Sequence, residues 1–380
     1  KTAYEMIWWL EFRRVLFRST PNFVSSTMLL IAWFFLFLLG LLFISFALTN
    51  KINISLVISL FLLFLPRLTR RRHYNEKDVP QVVRKIIQEK NPLLGKIILD
   101  EELLTEGRED QEKLLRDPRQ EDQIRIAYSM LEATLIPKEW VEILNRSYDA
   151  VAVPSPFLVK AYRESGVLIP VFELPLGLDL RPFLEQPLKK EKNPVMVFAN
   201  LSAATGRKNQ VTLIKAFAKA LGHVDDAVLR INARGKNKQV EKEIKEEIAK
   251  QNCRNIRYTG KKLSKEKYLD LFKKVDCYIN LAKGEGFSIQ PREAMALGIP
   301  VIVTNNTGQI PICQSGLVKG VESPIKEPAY FFGSEEPSGE YFNCDVDTVA
   351  EAILEVYHNY QKYLGKAEEA RKWSSFYDYS

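Results

Sequence analysis

Two runs, DCYINLA (Asp276–Ala282) and IPVIVT (Ile299–Thr304), bracket the stretch KGEGFSIQPREAMALG. Both mix aromatic, β-branched and apolar residues, as strands buried on both faces do. Between them, KGEGFSIQ holds Gly284 and Gly286 and reads as a tight loop. Pro291 suits the first position of a helix, where its missing N–H is harmless. REAMAL continues that helix with strong formers, and Gly298 is placed to cap its end. The predicted unit is strand–loop–helix–strand. Its loop lies where parallel sheets bind ligands, at the carboxyl end of a strand. The helix start presents free N–H groups and a positive partial charge, which favour an anion such as a phosphate.

Within this unit Glu285 and Glu293 stand with seven residues between them. Two acids beside an anion site would repel the anion unless they hold something else. Carboxylates accept hydrogen bonds from hydroxyls, and a nucleotide sugar carries hydroxyls at both ends of its diphosphate. Glu293, on the first helical turn, suits a ribose, and Glu285, in the loop, suits the sugar. The plainer alternatives are a capping glutamate reaching back to the N-cap amide for Glu293 and a solvated loop acid for Glu285.

The same alternation runs through much of the chain. IRIAYSMLEAT begins as a strand, IPKEWVEILNRS is an amphipathic helix with Trp140, Ile143 and Leu144 on one face, and YDAVAVPS is a buried strand. PFLVKAYRESGV is a helix stopped by Gly166, and IPVFELPLGLD a strand leaving toward a turn. After the polar linker RPFLEQPLKKEKNP the rhythm resumes with strands VMVFANLS, AVLRINAR and NIRYTG and helices TLIKAFAKAL, KQVEKEIKEEIAKQN and KEKYLDLFKKV. Two doubly wound α/β layers joined near residue 188 are expected, with a binding crevice between them.

The amino-terminal part is different. Met28–Leu48 is an uncharged run of 21 residues, enough to span a bilayer core at about 1.5 Å per residue. Ile52–Pro66 suits a second span, a re-entrant piece or a surface-lying helix. Arg13, Arg14 and Arg18 precede the first run and Arg67, Arg70, Arg71 and Arg72 follow the second, which fits a hairpin with both ends cytoplasmic. The leader KTAYEMIWWLEFRRVLFRS lacks periodicity and reads as a fragment. Residues 76–123 are charge-rich with mixed signs, a solvated helix and loop. Four scattered cysteines without a CxxC pair argue against a zinc site or a disulfide framework, and three unclustered histidines against a Ser-His-Asp hydrolase. The net charge of +7 is mild and local, and no nucleic-acid partner is expected.

GEGFSIQPREAMALGIPVIVT resembles the E-x7-E signature of retaining glycosyltransferases of the GT-B fold, in family 4 of the nucleotide-sugar enzymes. GRKNQVTLIKAFAKA (206–220) is similar to that family's basic phosphate-binding segment, and YDAVAVPSPFLVKAYRESGV with VFELPLGLD to the end of its acceptor domain. The likeness runs from about Ile124 to about Trp373. It implies two Rossmann-like domains facing a cleft, the first incomplete; the hydrophobic membrane segment read above precedes them. The implied divisions are a leader at 1–75, a partial acceptor domain at 76–187, a donor domain at 188–362 and a returning C-terminal helix at 363–380.

The resemblance also implies roles. Arg207 and Lys208 hold the donor diphosphate and stabilise its leaving charge. The amides of Phe287, Ser288 and Ile289, beside Gly286, complete the phosphate cradle. Glu293 holds the ribose and Glu285 a sugar hydroxyl, orienting the anomeric carbon. The leaving diphosphate takes the acceptor's proton, so neither a protein nucleophile, a metal nor a cofactor is required. The donor is a UDP- or GDP-sugar and the acceptor a glycan or lipid-linked molecule, used in envelope polysaccharide synthesis. The place is the cytoplasmic membrane face, or the soluble cytoplasm if the leader is not native. The chain departs from the family in lacking a glycine-rich loop on the first acceptor strand and a histidine near the sugar. TNNTGQIPIC keeps one glycine, Gly308, of the usual pair. A sugar-nucleotide epimerase and a donor-binding module without turnover are the competing readings.

Overall fold

The computed structural model describes residues 96–100, 123–235, 237–331 and 335–379, all within one compact unit, His73–Ser380. The runs Met28–Leu48 and Ile52–Pro66, and most of the charged stretch before Gln123, lie outside the described residues. Among the described residues no helix is long and apolar enough to cross a membrane.

The first sheet is parallel, in the order β1 (Lys96–Asp100), β2 (Gln123–Tyr128), β3 (Ala150–Val153), β4 (Val171–Glu173). Helix α1 (Lys138–Ser147) leads into β3, and α2 (Pro156–Glu164) into β4. On α1 the residues Trp140, Ile143 and Leu144 are buried, the face that the sequence spacing predicts. A Trp140→Ala cavity there would cost roughly 3–5 kcal/mol. Gly166, at φ 97, ends the turn after α2 in a backbone region that glycine alone enters freely.

After the short α3 (Arg181–Leu184), the second sheet contains β5 (Met196–Ala203), β6 (Ala227–Arg234), β7 (Ile256–Thr259), β8 (Cys277–Asn280), β9 (Val301–Thr304) and β10 (Lys319–Val321). Its order is β10-β9-β8-β5-β6-β7, and every pairing is parallel. Helices α4 (Gln210–Leu221), α5 (Lys238–Gln251), α6 (Lys265–Phe272), α7 (Ile289–Ala296) and α8 (Ile310–Gln314) make the crossovers. Asn237 caps α5 by accepting from the Val240 amide at 3.1 Å, and Ser264 caps α6 from that of Lys267. A hairpin, β11 (Ile325–Pro328) with β12 (Glu340–Asn343), precedes α9 (Val346–His358), α10 (Tyr360–Leu364) and α11 (Ala367–Ser375).

The strand sequence reverses direction between β5 and β8, which makes their carboxyl ends the switch point of the sheet. The two strands pair only at Phe198–Cys277 and Ala199–Tyr278. Beyond that, the Asn200 side chain bridges to the Ile279 carbonyl at 2.8 Å. At the other end, the fully buried Asp276 carboxylate accepts from the Val197 amide at 2.7 Å, from both nitrogens of Asn193 and from Lys189. The segment between α3 and β5 is thereby pinned to the base of β8. The C-terminal segment returns to residues 178–180: Leu178 donates to the Tyr377 carbonyl at 2.7 Å and Tyr379 to that of Leu178 at 3.2 Å.

Candidate functional site

Two loops meet at the switch point. The first leaves β5 and forms a 3-10 turn, Gly206–Lys208, closed by Asn209 at φ 59. The second leaves β8 and runs to Ser288, the N-cap of α7. They are joined where the Lys283 amide donates to the Arg207 carbonyl at 2.9 Å.

Arg207, Lys208 and Glu285 come together here. Lys208 Nζ donates to Glu285 Oε1, and Arg207 Nη1 to Glu285 Oε2 at 3.1 Å. Asn280 Nδ2 reaches the same carboxylate at 3.3 Å and Ser288 Oγ at 3.0 Å. Lys208 and Glu285 are both buried. Burial alone would raise the Glu285 pKa, but the charges of Lys208 and Arg207, with hydrogen bonds from Lys208 and Asn280, lower it to about 2. Glu285 is therefore an ionised acid inside a basic pair, not a solvated loop residue. Arg207 also reaches across to the loop after β2, where Nη2 donates to Glu132 Oε1 at 2.9 Å.

Gly308 closes the floor: its amide donates to the Glu285 carbonyl at 2.8 Å, and the Glu285 amide donates to Thr307 Oγ1 at 2.8 Å. The glycines of this region are required by close approach, since none of Gly284, Gly286 and Gly308 has positive φ. A side chain on Gly284 would strike the Glu132 carbonyl, one on Gly286 the Met130 side chain, and one on Gly308 the carbonyls of Glu285 and Gly286. The unusual backbone belongs instead to Asn209, Ser288 at φ 70 and Thr307 at φ 47, which surround Glu285. A β-branched residue such as Thr307 enters that region only where its surroundings hold it there.

Helix α7 begins at Ile289, two residues before the start predicted from Pro291. Pro291 still sits in the first turn, where amide hydrogens have no helical partner. Glu293 consequently lies past the first turn and does not cap the helix. It is half-buried, and its Oε2 accepts from the Tyr268 hydroxyl at 2.6 Å. Burial raises its pKa to about 7, against the Tyr268 hydrogen bond and the Arg234 charge and helped by Asp179. Both glutamates act electrostatically on the buried Tyr278. Gly298, at φ 71, ends the helix as expected, with Ile299 donating to the Ala294 carbonyl at 3.0 Å.

The amides of Phe287, Ser288 and Ile289 take no hydrogen bond among the described residues. Among the described residues no group of three or more histidine, cysteine, aspartate or glutamate side chains is gathered to hold a metal ion. A basic pair, free amides at a helix start, and two acids, one with a lowered and one with a raised pKa, suit an anion flanked by hydroxyl groups. Beside Thr307 opens a cavity of about 480 Å³, walled by Phe157 and Lys160 of α2 and by Asn305, Asn306 and Gln314.

Sequence reasoning missed Glu132, Tyr268, Arg234 and Arg292. The first three lie far along the chain from the motif and reach it only through folding. Arg292 carried a signal, a charge at a helix position flanked by buried neighbours.

Residues 181–321, which contain Arg207, Lys208, Glu285, Glu293 and Gly308, match the family model described as "Glycosyl transferases group 1". Over 249 residues the chain is 21% identical to "Uncharacterized protein 356" of Sulfolobus islandicus rod-shaped virus 1, covering 62% of this chain and 66% of that protein. The chain thus spans about two thirds of that relative's length. Anabaena Alr3699/HepE in complex with UDP and glucose is similar with a TM-score of 0.50 at 16% identity, over 67% of this chain and 68% of that one. Sucrose-phosphate synthase from Thermosynechococcus elongatus is similar with a TM-score of 0.56 at 15% identity, over 79% of this chain and 76% of that one. The architecture is accordingly α/β and GT-B-like.

Proposed function

We propose that this protein is a retaining glycosyltransferase of family 4, moving a sugar from a UDP- or GDP-sugar to a glycan or lipid-linked acceptor. The observation that carries the reading is the meeting of Arg207, Lys208 and Glu285 at the switch point, within the range matched by the group 1 glycosyltransferase model. The similar Anabaena protein was solved with UDP and glucose, which supports a nucleotide-sugar donor.

In this reading the diphosphate lies against Arg207, Lys208 and the amides of Phe287, Ser288 and Ile289. Glu285 is held ionised between Arg207 and Lys208, so it accepts from a sugar hydroxyl and orients the anomeric carbon. Glu293 takes the ribose hydroxyls. As the anomeric carbon–oxygen bond to the diphosphate breaks, the two cations stabilise the charge left on that oxygen. The acceptor oxygen bonds the anomeric carbon from the same face, and its proton passes to the leaving diphosphate. Leaving-group stabilisation is assigned to Arg207 and Lys208, and no protein nucleophile is invoked. The cavity beside Thr307 offers amides and an aromatic ring to a saccharide acceptor. Met28–Leu48 would place the reaction at the cytoplasmic membrane face, in envelope polysaccharide synthesis.

The test is incubation with a panel of UDP- and GDP-sugars, followed by NMR. Release of nucleoside diphosphate, with the new or hydrolysed sugar keeping its anomeric configuration, is expected. An inverted product would refute retention. A donor-binding module without turnover is the second reading, favoured by the engagement of Arg207 with Glu132; binding with no release of nucleoside diphosphate would establish it.

A further inference from the structure

Arg292, next to Glu293 on α7, is 1% exposed. Among the described residues no carboxylate pairs with it, and its Nε has no acceptor. Aromatic rings enclose it instead, with centroids at 3.8 Å for Phe287, 4.5 Å for Tyr377 and 5.5 Å for Trp373. The last two belong to the returning C-terminal segment. Nη1 donates to the carbonyls of Phe287 and Ser288, the latter at 3.0 Å.

A buried cation with no carboxylate in hydrogen-bond contact is costly to desolvate, although the charge of Glu285 and a hydrogen bond with Tyr377 favour it. The use of the charge lies in the two carbonyls. The Phe287 carbonyl shares its peptide group with the Ser288 amide, and the Ser288 carbonyl shares its own with the Ile289 amide. These are two of the free amides at the start of α7. We propose that Arg292 is a positioning residue for the diphosphate: it fixes the left-handed turn at Ser288 and polarises two peptide groups whose N–H bonds serve the anion. Each link runs from guanidinium to carbonyl to amide to phosphate oxygen, and hydrogen bonds in series strengthen one another. Tyr377 and Trp373 hold the guanidinium from behind, so the C-terminal segment supports the anion site through Arg292.

This inference rests on the reading of the pocket as a diphosphate site. The experiment compares full-length wild type, Arg292→Leu and Arg292→Lys by thermal melting and by calorimetric titration with UDP, GDP, inorganic pyrophosphate, uridine and guanosine. Arg292→Leu, which strips the Phe287 and Ser288 carbonyls of their donor, is expected to melt lower than wild type. It should bind pyrophosphate and the diphosphate of the preferred base about tenfold more weakly, equivalent to about 1.4 kcal/mol, with nucleoside binding unchanged. Arg292→Lys, which keeps the charge, should recover part of the loss. Should Arg292→Leu fail to fold, Arg292→Lys decides, with a loss confined to phosphate-bearing ligands expected. An unchanged ratio of diphosphate to nucleoside affinity would overturn the inference, as would an equal loss for both. If wild type itself does not favour phosphate-bearing ligands, the functional reading fails together with the inference.

Discussion

Replacing Glu293 with glutamine removes an ionisation that the fold opposes. The carboxyl group accepts from Tyr268, whose ring packs edge-on against Phe272 at 5.0 Å and Phe183 at 6.5 Å. Arg234 lies 5.9 Å from the Tyr268 ring centroid, and Asp179 adds a like charge. Burial outweighs the favourable contacts and carries the pKa from 4.5 to about 7. Between those values the folded protein holds a proton that the unfolded chain has released, so stability falls as pH rises through this window. At 1.36 kcal/mol per pH unit the full span is worth roughly 3 kcal/mol, and the partial exposure of Glu293 brings this to roughly 2 kcal/mol. Glutamine keeps an acceptor for Tyr268 and cannot ionise. Thermal melts from pH 4.5 to 8 should therefore find Glu293→Gln equal to wild type at the acid end. At pH 8 it should be more stable by several degrees. The same variant should lose nucleoside diphosphate affinity, because the ribose hydroxyls lose a charged acceptor. Parallel melting profiles for the two proteins across the whole range would refute the argument.

Glu285 gives the opposite sign. Its pKa is depressed, so its stabilising effect is present above pH 4.5 and is lost as pH falls toward 2; Glu285→Gln should flatten that acid limb in a pH series of melts. Glu132→Gln should tighten UDP or GDP binding several-fold in titrations, because a carboxylate 2.9 Å from Arg207 no longer competes with the phosphates; equal or weaker binding would oppose this. Gly308→Ala places a methyl 2.5 Å from the Glu285 and Gly286 carbonyls, and denaturant unfolding should register a loss of about 2 kcal/mol or more. Gly286→Ala strikes the flexible Met130 side chain and only touches the Leu131 carbonyl at 3.4 Å, and should lose less.

Much of the fold is legible in the sequence because parallel strands covered on both faces cannot be polar. CYIN and VIVT are buried at every position, and the Trp140–Ile143–Leu144 spacing marks the face α1 turns inward. The start of α7 was misread by two residues because a left-handed Ser288, not Pro291, launches the helix. The β11–β12 hairpin leaves no mark in the sequence, since β11 is largely exposed, β12 is half-buried throughout, and both carry charges, so no alternation marks them. At the site, Glu285 and the basic pair are visible from their loops. The state of Glu293 is not, because Tyr268 and Arg234 come from other elements and burial sets its proton. Nor is the Glu132 contact, which exists only through the packing of the loop after β2 onto the glycines that follow β8.

The central claim is that Arg207 and Lys208 grip a pyrophosphate whose neighbouring hydroxyls meet Glu285 and Glu293. Calorimetric titration of UDP, GDP and their nucleosides into full-length wild type and Lys208→Ala tests it most directly. One nucleoside diphosphate should bind wild type well above its nucleoside, and Lys208→Ala should erase most of that advantage while leaving the nucleoside nearly unaffected. Equal affinity for nucleoside and nucleoside diphosphate in wild type, or an equal loss of both in the variant, would contradict it.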